Sequence, residues 1–251
     1  MRALCPAPLT CVLPKLPCIP REVTGGLDTV AVRIPNHHVA QALLRQCRLP
    51  VAAPSANLSG KPSPTTGGHV YQDLAGRIAM VLDSGRAGIG VESTVLDLTA
   101  DTPVILRPGA VTAQMLEPYL GEVLLGGKKV GDTEIPKAPG MKYRHYAPKG
   151  RMILLTAEEL AAAYEAAQAA GGGERVAVLA TEKVLRQIRQ PLYYYRLGAD
   201  EQDLQAAAHN IFAGLRYCDE IGADVIYCEK FAEDGIGLAV MNRLRKAASK
   251  E

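Results

Sequence analysis

The spacing of apolar and polar positions changes along this chain, and the changes divide it. Up to about Leu120, short β-rich runs stand between Pro and Gly punctuation: PLTCVLP, LDTVAVRIP, PVAAPS, IAMVLDS, STVLDLT and PVILRPG. Such runs predict strands joined by turns. Only two helical patterns interrupt them. One covers about His38 to Cys47, with Val39, Ala42, Leu43 and Cys47 on one face, and the other about Thr66 to Ala75. The pattern predicts an α+β domain with a mixed sheet over residues 1–120.

From Gly121 to Gly150 the periodicity stops and Gly, Lys and Pro take over, ending in PKAPGMKYRHYAPKG. Residues 121–150 therefore read as a linker. Two Tyr, a His, an Arg and a Lys fall within six of its residues, so it reads equally as a spacer and as a binding segment.

After Gly150, strands and helices alternate through residue 251: MILL, a helix opened by Thr156-Ala-Glu-Glu159, RVAVLA, a short helix near Glu182 to Ile188, and LYYYRL. A long helix follows with Leu204, Ala208, Ile211, Leu215 and Cys218 at helical spacing, then DVIYCE and a last helix through Met241 and Leu244. The alternation predicts a small Rossmann-like α/β domain with a largely parallel sheet. It has no GxGxxG fingerprint, and Gly171-Gly172-Gly173 precedes a strand, which makes that run a turn.

Composition narrows the function classes. Twenty-eight basic and 26 acidic residues leave a formal charge of +2, too balanced to advertise a nucleic-acid or membrane partner. No apolar run approaches the roughly 20 residues of a membrane span, and prolines interrupt the N-terminal stretch where a signal peptide needs continuity, so the cytoplasm is expected. The six cysteines include no CxxC pair and no histidine at zinc-ligand spacing; they read as reduced, structural thiols.

Candidate chemistry concentrates in VAAPSANLSGKPSPTT, residues 51–66, where an apolar run delivers Ser55, Asn57, Ser59, Ser63, Thr65 and Thr66 into a loop with Gly60 and Lys61. Hydroxyls, an amide, backbone N–H groups and the following helix N-terminus can together satisfy phosphate oxygens. Composition alone favours an ordinary Ser/Pro-rich loop with an N-cap. Two further segments shift that balance: Gly90-Val-Glu-Ser93-Thr94 places hydroxyls at a strand entrance, and Ile105-Leu-Arg107-Pro-Gly109 puts a guanidinium at a strand exit, where it suits bidentate phosphate binding. In LDTVAVRIP, alternation sets Thr29, Ala31 and Arg33 on one face, which reads as a solvated edge or as a polar ligand surface.

The strings PLTCVLPK, TGGLDTVAVRIP, APSANLSGKPSPT, GVESTVLDLT, ILRPGAVT and APGMKYRHYAPK resemble, in order, signature segments of the long threonylcarbamoyl-AMP synthases. These enzymes combine a YrdC-like domain, a linker and a smaller C-terminal domain. The likeness runs from about Pro8 to Lys149 and continues weakly into DGIGLAVMNRLRKAA. It implies conversion of L-threonine, bicarbonate and ATP to threonylcarbamoyl-AMP and pyrophosphate, with magnesium, for a separate complex that modifies tRNA. Position by position, it implies nucleotide contacts at Ser55, Ser63 and Arg107, with Thr29 beside them, and threonine contacts at Arg33, Ser93 and the backbone of Ala53. Asn57 matches the family's Ser-x-Asn signature, and the resemblance implies that a linker tyrosine, Tyr143 or Tyr146, closes over the nucleotide. No metal ligands are assigned.

The family's Thr-Glu-Thr element and Lys-x-Arg signature do not precede Pro8, while Lys142-Tyr143-Arg144 belongs to the linker string. Ala7 and Cys5 stand where the family tends to have Gly and an aromatic residue. The expectation is an N-terminally truncated YrdC-like domain with an open sheet edge, incapable of turnover as it stands. A nucleic-acid-binding YrdC-like module and a non-catalytic nucleotide-binding remnant are the alternatives.

Overall fold

The computed structural model describes residues 3–126, 147–188 and 191–249. It divides into two compact units, one of Met1–Pro54 and Glu92–Tyr143, the other of Ser55–Val91 and Arg144–Glu251.

The first unit carries β1 (Leu9–Pro14), β2 (Thr29–Arg33), helix α1 (His38–Cys47), β3 (Thr94–Asp97), β4 (Val104–Arg107), α3 (Ala113–Leu120) and β5 (Leu124–Leu125). Its sheet has the order β2-β1-β3-β4-β5 and is mixed, with β1/β2 and β3/β4 antiparallel and β1/β3 and β4/β5 parallel. Alternation on β1 sends Leu9 and Cys11 to one face, where they are buried with Leu96, Ile105 and Leu116 of α3. Helix α1 spans the residues that its periodicity predicts, yet none of its ten residues is buried and Leu43 is 43% exposed.

Two expected strands are absent. PVAAPS forms no strand among the described residues, because Pro50 and Pro54 lack the N–H that a ladder needs. IAMVLDS has strand-like alternation, but Ile78, Met80 and Leu82 are exposed and no ladder takes them up. Conversely, α3 and β5 escaped the pattern: Pro118 lies inside α3, only Leu116 of that helix is buried, and β5 is two residues long.

The second unit carries α2 (Gly67–Leu74), β6 (Arg151–Leu155), α4 (Ala157–Ala170), β7 (Val176–Ala180), α5 (Glu182–Gln187), β8 (Tyr193–Arg196), α6 (Leu204–Glu220), β9 (Val225–Glu229) and α7 (Gly237–Ala248). Every pairing in its sheet, of order β6-β9-β7-β8, is parallel. The crossovers from β6 to β7 to β8 put α4 and α5 on one face, and the return to β9 puts α6 on the other. Leu160 and Tyr164 of α4 and Val184 and Leu185 of α5 accordingly bury Val176, Val178, Ala180 and Val225. All five residues of β7 are buried, as expected for a central parallel strand covered on both faces. The capping box forms as read: Glu159 N donates to Thr156 Oγ1, and Thr156 N donates to Glu159 Oε2.

The segment 55–91 packs with the C-terminal strands and helices through specific contacts. Arg86 Nη2 donates to Asn210 Oδ1 at 2.7 Å, and His209 Nδ1 meets Gly88 O at 2.9 Å. Gly90 (φ +88°) sits so close to α6 that a Cβ there would lie 2.3 Å from Ala208 O, so only glycine fits.

All six cysteines are free thiols. Burial pushes the Cys218 thiol up to about 12 and raises Cys228 as well, which keeps both protonated and inert.

Candidate active site

In the first unit, register gathers the polar candidates on one sheet face. Thr10 and Val12 alternate with the core residues of β1, and directly opposed residues share a face. Arg33 lies opposite Thr10 and Thr29 opposite Pro14 across the β1/β2 ladder. On the other side, Thr10 is in register with Val95 and Val12 with Asp97. Val95 in turn opposes Arg107, where an irregularity between Val95 and Leu96 shifts the ladder. Such a shift re-aims a side chain at the end of a strand. Thr29, Arg33, Thr10 and Arg107 therefore occupy the face opposite the apolar core.

Arg107 is tied to the β3 entrance. Its Nε and Nη2 donate to Ser93 O at 3.1 and 3.0 Å, and Nη2 also donates to Ser93 Oγ at 3.3 Å. Ser93 Oγ is 2.7 Å from Thr10 Oγ1. Both Arg107 and Ser93 are buried. The turn after Arg107 is closed against the same entrance. Thr94 Oγ1 donates to Val111 O at 2.6 Å, and a Cβ on Gly109 would lie 2.4 Å from Thr94 N. Thr10 was not singled out from the sequence, although a lone hydroxyl between Leu9 and Cys11 on an apolar strand was a usable signal. Ala53 and Arg33 are exposed and Thr29 is half-buried.

In the second unit, the serine loop is braced from within. Asn57 Nδ2 donates to Leu58 O at 2.8 Å and Lys61 O at 3.2 Å, and Asn57 N donates to Ser55 O. The Asn57 amide thus shapes the loop, while Ser55 at its start is exposed and Ser63 and Thr65 are buried. Thr66 caps α2 by accepting from His69 N, and Thr65 N donates to His69 Nδ1 at 3.2 Å. Burial first, and then the nearby Arg216 charge, hold His69 below the ordinary histidine range, consistent with a neutral ring that accepts at Nδ1.

The same loop is anchored from outside by residues that the sequence reading did not pair. Asp73, buried in the last turn of α2, takes Lys61 Nζ on Oδ1 at 2.8 Å and Arg216 Nη2 on Oδ2 at 2.7 Å. Burial alone would push the Asp73 carboxyl up, but its bonds to Arg216 and Lys61 outweigh this and hold it below the ordinary value. A cavity of about 230 Å³ opens beside this network, lined by Lys61, Gln72, Asp73, Lys149, Arg216 and Asp219 among others.

The structure thus joins Arg107 to Ser93, sets Thr29 and Arg33 on their sheet face, and holds Asn57 and Ser63 in one braced loop. Tyr143 and Tyr146 lie outside the described residues. Among the described residues no group of three His, Cys, Asp or Glu side chains could hold a metal ion, and no helix is long and apolar enough to cross a membrane.

The first unit thus carries hydroxyls and arginines on one face of a mixed sheet, and the second carries a parallel α/β sheet. A family model described as threonylcarbamoyl-AMP synthase, C-terminal domain, matches residues 111–249, and one described as telomere recombination matches residues 1–109. The threonylcarbamoyl-AMP synthase of Pyrococcus abyssi is 44% identical over 97% of this chain and 71% of its own length. That of Bacillus subtilis is 43% identical over 99% of this chain and 71% of its own. A crystal structure of P. abyssi Sua5 complexed with L-threonine superposes with a TM-score of 0.88, covering 98% of this chain and 72% of that one at 44% identity. The chain belongs to the threonylcarbamoyl-AMP synthase family and is an enzyme of the transferase type.

Proposed function

We propose that this chain takes part in making threonylcarbamoyl-AMP from L-threonine, bicarbonate and ATP, a nucleotidyl transfer that releases pyrophosphate. The observation that carries this reading is the polar sheet face on which Arg107 and Arg33 lie, with Ser93 tied to it through Arg107 and Thr10. It offers guanidinium groups and a hydroxyl for an amino-acid carboxylate and for phosphates. Arg33, Ser93 and the Ala53 backbone serve threonine; Arg107, Ser55, Ser63, Asn57 and Thr29 serve the nucleotide, with Tyr143 or Tyr146 closing over it.

The chemistry asks for little covalent work by the protein. The threonine amine attacks the bicarbonate carbon, and water leaves to give a carbamate. A carbamate oxygen then attacks the α-phosphorus as its bond to the pyrophosphate oxygen breaks. Positioning and charge neutralisation dominate such a reaction. Magnesium bound with the nucleotide would add charge neutralisation. The product passes to a separate tRNA-modifying complex in the cytoplasm.

Arg33→Ala tests the division of roles. Losing a charge-assisted contact costs about 1.5–3 kcal/mol, so the affinity for L-threonine should fall roughly ten- to hundredfold by calorimetry while that for ATP holds. Unchanged threonine affinity would remove Arg33 from the site.

A further inference from the structure

We propose that Arg216, on α6 of the C-terminal region, is a positioning residue that sets the serine loop for the nucleotide. This rests on the reading of Ser63 as a nucleotide contact. Arg216 is 5% exposed, and its guanidinium spans three acceptors: Pro62 O at 2.7 Å, Ser63 O at 3.5 Å and Asp73 Oδ2 at 2.7 Å. The other Asp73 oxygen takes Lys61 Nζ, so residues 61–63 are gripped through one side chain and two backbone carbonyls.

That grip fixes direction as well as place. In a trans peptide the C=O and the next N–H point opposite ways, so drawing the Pro62 carbonyl toward α6 turns the Ser63 N–H away from it. Pro62 and Pro64 restrict φ on either side of Ser63, which leaves few alternative arrangements. The three acceptors need a planar fork, which an ammonium group does not provide.

The place of Arg216 in α6 points the same way. It is buried on the helix that also buries Ile211, Phe212, Leu215 and Cys218. An apolar residue at such a site commonly stabilises a fold as well as a buried ion pair does, so the pair is better explained by what it positions. The C-terminal region thereby contributes to the nucleotide site without touching the nucleotide.

The test compares Arg216→Lys, and the double replacement Arg216→Met with Asp73→Leu, with the unaltered 251-residue chain. Lys keeps the charge pair and the double variant removes both charges, so each retains a folded unit by circular dichroism and thermal melting. Amide hydrogen exchange at Lys61, Ser63 and Thr65 without ligand should rise about tenfold or more in both, and ATP affinity should fall about tenfold with threonine affinity unchanged. Full restoration of native exchange by Arg216→Lys would overturn the proposal, because charge alone would then suffice. Faster exchange with native ATP affinity would also overturn it, provided that ATP protects the Ser63 amide from exchange in the unaltered chain. If ATP leaves exchange at the Ser63 amide unchanged there, the Ser63 reading itself fails and this inference with it.

Discussion

Arg107→Ala should weaken both ATP and L-threonine, each by about tenfold or more, whereas Ser55→Ala should weaken ATP alone. The difference follows from the clamp. Arg107 donates from Nε and Nη2 to the Ser93 carbonyl and reaches Ser93 Oγ, which in turn meets Thr10. With Arg107 in its proposed role, removing the guanidinium takes a phosphate donor from the nucleotide, and it leaves a buried carbonyl without these donors, a loss of about 1–3 kcal/mol before any ligand is considered. Ser93 is then free to move, and the threonine side of the site moves with it. Arg107→Lys should rescue little, because a single ammonium group cannot reproduce donation from Nε and Nη2 in one plane. Exposed Ser55 carries no such network, so its alanine variant loses one contact. Calorimetric titrations of both ligands check this; a threonine affinity untouched by Arg107→Ala would show that the clamp does not support that side.

Asp73→Ala should destabilise the second unit by about 3–5 kcal/mol, because it strands the buried Arg216 charge. The Asp73 side chain has no exposed surface and that of Arg216 is 6% exposed, so solvent screens the pair little in the native packing. In a unit of this size such a loss lowers the melting midpoint by roughly 10 °C or more. The pH dependence has a definite sign. Asp73 is held below its ordinary value in the folded state, chiefly because its bonds to Arg216 and Lys61 outweigh burial. Its contribution is therefore fully present above the unfolded carboxyl value of about 3.9 and fades as pH falls through the lower folded value. The stability gap between the native chain and Asp73→Ala, measured by urea unfolding, should be widest near neutrality and close progressively below about pH 4. A gap that stays constant through the acid range would show that the ion pair does not set the stability.

These two expectations differ in how much of them the sequence could supply. Arg107 and Ser93 stand in short strings whose strand boundaries are legible from alternation, and a guanidinium at a strand exit already suggests phosphate chemistry. Helix α1 and the capping box at Thr156 are equally local, and both form where the pattern puts them. What the pattern could not supply is partnership. Asp73 and Arg216 are 143 residues apart, and no periodicity in α2 or α6 says that one buried charge meets the other. IAMVLDS failed as a strand for the same reason, since an apolar run becomes a strand only where a ladder receives it, whereas PVAAPS failed locally, on its prolines. Helix α3 was hidden by Pro118, whose helix-breaking tendency is overridden where Thr112 caps the start and Leu116 enters the core.

The proposed roles make these residues one share of a threonylcarbamoyl-AMP synthase site. Because the chain spans 71% of the P. abyssi relative, the most direct test joins it to the part of that relative outside the matched region. Pyrophosphate release by the folded fusion is then measured with ATP, L-threonine and bicarbonate, omitting each in turn. Release should require all three and fall sharply in Arg107→Ala. A well-folded fusion that releases no pyrophosphate, or releases it equally without threonine, would contradict the proposed roles.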